Sequence, residues 1–122
     1  GRQADVLAVS VYLRYLEACG EAVRIPSRAY PADYVKVCGE ALLAHAGRKY
    51  FNEFFDVVDG LPDDPEGDGD EIKMLKEDYL DAIIQRVQLL LGDQTLVDYI
   101  DTAPTGSPVL LVQNCRQVVW QQ

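Results

Sequence analysis

The sequence predicts a mainly α chain of four to five helices that ends in a short β-hairpin. Three observations carry that expectation. Apolar residues recur at three- and four-residue spacing through three long stretches. Each stretch is followed by a glycine, Gly20, Gly47 or Gly92, where a helix can stop. Strand-like composition is confined to the end of the chain, VLLVQNCRQVVWQQ, which reads as two short β runs around a turn.

The first helix is expected from about Gln3 to Cys19. Ala4, Val6, Leu7, Ala8, Val9, Val11, Leu13, Tyr15 and Leu16 leave only Asp5, Ser10, Arg14 and Glu17 for water. A helix at the surface of a small protein needs one apolar stripe and a broad polar face. This one is expected to be covered on both sides. EAVRIPSRAYP follows as a loop, because Pro26 and Pro31 forbid a continuous helix. Ala32 to Ala46 is expected as the second helix, with Tyr34, Val37, Cys38, Ala41, Leu42 and His45 at helical spacing. A short third helix, Arg48 to Val58, presents Tyr50, Phe51, Phe54, Phe55 and Val58 as core aromatic and apolar groups. GLPDDPEGDGD (60–70) is a loop. The fourth helix runs from about Glu71 to Leu91 on an inner stripe of Ile72, Leu75, Tyr79, Ile83, Val87 and Leu90. Asp93 can cap a fifth helix through Ile100. The division is thus a helical segment over 1–101 and a β-like tail over 102–122.

Charge and cysteine usage narrow the function classes. Twenty acidic residues against eleven basic ones give 122 residues a net charge of −9. The isolated acidic chain is therefore not expected to grip nucleic acid through a broad basic surface. No run approaches the ~18 apolar residues of a membrane span, and no basic-then-apolar signal opens the chain, so a soluble, cytoplasmic setting is expected. Cys19, Cys38 and Cys115 are odd in number and lack CxxC spacing, which favours reduced thiols over a disulfide framework or zinc site.

No residue pattern carries chemistry by itself. Asp64, Glu66, Asp68 and Gly69 imitate the first half of a calcium loop, but Glu71 and Leu75 stand where it needs an apolar residue and a Glu. Those acids are better read as solvated groups at the start of the fourth helix, where the dipole favours them. His45 has no identified nucleophile or orienting carboxylate and reads as packed or capping. Cys38 reads as a small core residue. The glycines of PEGDGDE lack the Lys and Ser/Thr of a phosphate loop. No metal site is expected.

Three stretches nevertheless resemble one family. GRQADVLAVSVYLRYLEACGE, IPSRAYPADYV and YLDAIIQRVQLLLGD are similar, in that order, to landmarks of bacterial arginyl-tRNA synthetases, class I aminoacyl-tRNA ligases. In one branch the first landmark reads Asn-Asp-Ala-Gly-Arg-Gln before a helix of this form. The second has a Tyr-x-Gly-Asp-Tyr-Ile/Val turn, matched by Tyr30, Asp33, Tyr34 and Val35, with Ala32 where that turn has glycine. Residues 1–43 match closely, 60–93 fairly and 94–122 poorly.

The resemblance implies an internal piece of a larger α/β catalytic domain, with Gly1 as a cut end. The family attaches arginine to its tRNA using ATP and magnesium. It uses a His-x-Gly-His signature upstream, which stabilises the transition state of adenylation, and a Lys-rich loop downstream. Neither motif occurs here, so the resemblance implies no catalytic residue and no cofactor in this chain. Arginine and tRNA would be partners of the parent enzyme alone. Gln3, with Arg2 beside it, is the position the resemblance carries toward the substrate pocket; Tyr30, Asp33 and Tyr34 would fix the turn. The fragment is expected to be inert and to expose apolar surface on helix one. The alternative is a small helical interaction module that docks or self-associates through that helix.

Overall fold

The computed structural model describes residues 2–30, 33–54 and 63–92. This part forms four helices: α1 (Arg2–Ala18), α2 (Asp33–Ala46), α3 (Lys49–Phe54) and α4 (Asp70–Leu91). The ends of α1, α2 and α4 agree to a residue with the expected ones. The expected continuation of α3 to Val58, the fifth helix from Asp93 to Ile100 and the β-like tail over 102–122 lie outside the described residues. Among the described residues no helix is long and apolar enough to cross a membrane.

α1 is the spine. Every residue from Val6 to Leu13 is buried, as are Tyr15 and Leu16. α2 packs along one side of it and α4 against another. Burying a large apolar side chain contributes roughly 1.5–3 kcal/mol, so this one helix gathers much of the core's driving force. The expected cover on both sides is present, and it corrects two details. α1 does not leave its apolar residues exposed: from Val6 onward the chain itself covers them. Nor does Ser10 face water. It is 1% exposed, donating to the Val6 carbonyl at 2.7 Å and accepting the Tyr30 N–H at 3.0 Å. Satisfied on both counts, a hydroxyl can sit in a core at little cost.

The seam between α1 and α2 is unusually close. Gly39 is buried in α2, and a Cβ there would stand 2.6 Å from the Arg14 carbonyl carbon, the Arg14 Cβ and the Tyr15 nitrogen. Only a residue without a side chain lets the two backbones approach so far. Val35, Cys38 and Leu42 supply the rest of the inner face of α2. Val37, expected on that face, is 60% exposed, because it lies about 200° round the helix from Val35. Cys38 is a core residue as expected, yet it is disulfide-bonded, against the expectation of reduced thiols. Cys19 is free and half-buried.

Tyrosines tie α3 to this seam. The Tyr15 hydroxyl donates to the Gly47 carbonyl at 2.6 Å and accepts the Phe51 N–H at 3.1 Å. Its ring meets the Tyr50 ring edge-on at 6.0 Å and the Tyr12 ring in a stacked arrangement at 6.0 Å. Tyr50, fully buried, is thus core, as its cluster was expected to be. Gly47 takes a positive φ of 60°, and its N–H donates to Leu43 O at 2.8 Å, closing α2 and turning the chain into α3.

Among the described side chains of α4, the buried ones are Leu80, Ile83, Ile84 and Val87; that of Leu90, expected on the inner stripe, lies outside the described residues. Leu75, also expected there, precedes the buried ones and is 49% exposed. Leu80 and Ile84 replace it.

Candidate functional site

Three elements meet at the N-terminal end of α1: its first turn, the strap of residues 21–30 and the middle of α4. The strap is fastened at several points. Ala29 N–H closes a turn on Pro26 O at 3.0 Å, and the Tyr30 amide is anchored on the buried Ser10 hydroxyl. Two loop acids hold its outer side: Asp63 pairs with Arg24 at 3.2 Å, and Asp64 accepts the Ser27 N–H at 3.1 Å. Burial and the neighbouring Asp64 push the Tyr79 phenol up from its ordinary range.

Arg2 and Gln3, the pair that the sequence pointed toward a substrate, are both exposed on the first turn of α1. Arg2 reaches α4, where its guanidinium is paired with Glu77 and Asp81. Those carboxylates are the main reason its pKa is raised further. Glu77 has a second cation: its other oxygen lies 3.1 Å from Arg28 Nε of the strap. One carboxylate therefore joins all three elements. Beneath the rim lies a hollow of about 300 Å³, lined by Gln3, Val6, Tyr30 and Leu80 with Arg2, Arg28 and Glu77 around it. An apolar floor with a few converging polar groups is the usual make-up of a small-molecule site. Here most of the charged groups are engaged with one another.

Of the remaining turn residues, Asp33 does not line this hollow. Asp33 is the first residue of α2 and is exposed. Tyr34 follows it in the first turn of α2; its side chain and that of His45 lie outside the described residues. Glu77, Asp81 and Arg28 went unnoticed in the sequence. Periodicity marks Asp81 as outward-facing, but nothing in a one-dimensional pattern pairs it with Arg2, seventy-nine positions earlier.

A second hollow, about 450 Å³, opens between α1 and α2, lined by Arg14, Glu17, Lys36 and Glu40 over Ala18 and Leu43. Two cations and two anions leave it without net charge. Arg14 is paired with Glu17 at 3.1 Å, while its Nε is buried without a hydrogen-bond partner. Among the described residues, no three His, Cys, Asp or Glu side chains gather closely enough to hold a metal ion.

Comparison with known proteins now adds a family. The chain is 42% identical over 100 residues, 81% of its length, to an arginine–tRNA ligase of Legionella pneumophila (strain Corby). It is 44% identical over 93 residues, 76% of its length, to one of Thioalkalivibrio sulfidiphilus. With one of Halorhodospira halophila it shares 39% over 106 residues, 84% of its length. The match spans only 16%, 15% and 16% of those three proteins, respectively. No family model matches the chain, and no solved structure does.

Proposed function

Because this chain belongs to the arginine–tRNA ligase family, as a counterpart of one segment of those enzymes, we propose that it serves as a helical scaffold of such a ligase. In this reading the whole enzyme attaches arginine to its tRNA with ATP in the cytoplasm. The nucleotide-binding signatures, magnesium, and the contacts to arginine and tRNA come mainly from sequence outside these residues. The chain alone is catalytically inert. Its contribution is to hold the first turn of α1, with Gln3 and Arg2, against the substrate pocket. Tyr30, Asp33 and Tyr34 shape the turn that supports it.

The observation that supports this reading best is the 42% identity over 100 residues, 81% of the chain. The buried state of α1 agrees with a scaffold role, because α1 supplies no exposed apolar face for the docking alternative.

A segment exchange tests the proposal. The matching segment of the Legionella ligase is replaced by this chain's sequence, and charging of tRNA with arginine is measured. Arginine-dependent charging well above a vector control is expected, and none from the 122-residue chain alone. A folded exchange enzyme that charges no tRNA, or an isolated chain that catalyses arginine-dependent ATP–pyrophosphate exchange, overturns it.

A further inference from the structure

We propose that Glu77 is a positioning residue, a latch that sets where the first turn of α1 points. It rests on one geometric fact. Among the described residues Glu77 is the single side chain that ion-pairs with both other elements at the hollow: one oxygen pairs with Arg2 of α1, the other with Arg28 Nε at 3.1 Å. Asp81, one turn further along α4, takes the second arm of the Arg2 guanidinium. A planar guanidinium held at two nitrogens by two carboxylates has its orientation fixed, where a single contact would leave it free to swing.

The first turn of α1 needs such a device. The opening four N–H groups of a helix have no partner within it, so a first turn frays unless something outside holds it. The buried stretch of α1 begins only at Val6, one turn further in. Ala4 packs against the edge of that core, and the charged ties of the first turn to α4 are those that Arg2 makes. Glu77 also controls the opposite wall, because Arg28 belongs to the strap whose Tyr30 amide is anchored on Ser10. Releasing Glu77 therefore loosens two sides of the hollow at once, while the core beneath, Val6 and Leu80, stays packed.

The side chains involved are about half exposed, with Glu77 at 41%, Asp81 at 43%, Arg28 at 42% and Arg2 at 45%. Ion pairs so exposed contribute little to global stability. That separates positioning from folding. Loss of the latch is expected to leave the melting temperature nearly unchanged and to alter the geometry of one end.

The consequence for function rests on the scaffold reading above, so the test has two arms. In the 122-residue chain, Glu77→Gln is compared with Asp78→Asn, an exposed acid beside it on α4. Amide exchange at Val6 and Leu7, whose N–H groups reach back into the first turn, is expected to quicken about threefold in the first variant alone. In the Legionella segment exchange, Glu77→Gln is expected to lower kcat/KM for arginine about tenfold with the melting temperature held, since small misplacements near a reacting group are costly. Asp78→Asn is expected to change neither. Equal exchange in the two variants overturns the latch, and so does unchanged kcat/KM in an active exchange enzyme. Should the unsubstituted exchange enzyme charge no tRNA, the scaffold reading fails and amide exchange alone decides the latch.

Discussion

α1 is held differently at its two ends. Around Arg14 and Tyr15 it lies so near α2 that the Cβ of an alanine at position 39 would stand 2.6 Å from its backbone. Around Arg2 it is held by charged side chains that are about half exposed. The close end is fixed by backbone shape and buried hydrogen bonds, which tolerate little change. The charged end is fixed by long, solvated groups that can be exchanged at small cost to folding. The fold's stability is therefore expected to reside at the seam. What the surface charges add is direction, at the end where a ligand could approach.

The sharpest way to break that contrast is Gly39→Ala. On helix propensity alone the change should stabilise by about 1 kcal/mol. Against the seam it should destabilise by about 2 kcal/mol net, because the new methyl meets backbone atoms that cannot rotate away. The sign of the change, read from urea unfolding, decides between the two. A stabilised variant would show that α1 and α2 do not approach this closely.

Tyr15→Phe probes the same seam with its packing left intact. The ring stays, but the hydroxyl's hydrogen bonds to the Gly47 carbonyl and from the Phe51 N–H are lost. A cost of about 1–3 kcal/mol is expected. The tyrosines also give the seam a pH signature. Burial pushes the Tyr15 phenol up to about 12 and raises that of Tyr12 as well. A folded pKa above the unfolded one means that the unfolded chain holds fewer protons in that window. Stability from these groups is therefore complete below about pH 10 and falls as pH rises toward 12. Thermal melts across that window should show the fall, and Tyr15→Phe should make it shallower. A flat profile would mean the phenols are not buried.

How legible all this was in the sequence follows the same divide. Periodicity located α1, α2 and α4, because the 3.6-residue repeat of apolar groups is local information. It also exposed α1 as a covered helix, since too few polar residues interrupt it. It failed at Ser10, Val37 and Leu75, where residue type suggests one environment and the tertiary neighbours impose another. Ser10 is inside because Val6 and Tyr30 satisfy it. Leu75 is outside because α4 is covered only from Leu80 onward. Gly39 could have been suspected, as a glycine inside an apolar helical stretch usually marks a close approach. The Arg2–Glu77–Arg28 chain could not, because its members are remote in sequence and each alone is an ordinary surface charge. Gln3 and Arg2 were singled out through a family likeness, and no spacing rule would have found them.

The smallest effect is expected at Asp63, in the acidic loop that first suggested a cation site. Among the described residues its ion pair is the 3.2 Å contact with Arg24, and the two side chains are 95% and 60% exposed. A pair so open to water is screened and must also order two flexible side chains, so its net worth is close to nothing. Asp63→Asn is expected to shift the melting temperature by no more than about 1 °C, and about 0.5 M salt should leave the unsubstituted chain equally unmoved. A loss comparable to that of Tyr15→Phe would mean that the strap is held from outside by charge. The assignment of stability to the seam would then fail. If the loss is absent, the strap hangs from the buried Ser10–Tyr30 contact. The acidic loop is then a solvated edge that adds little to the stability of the fold.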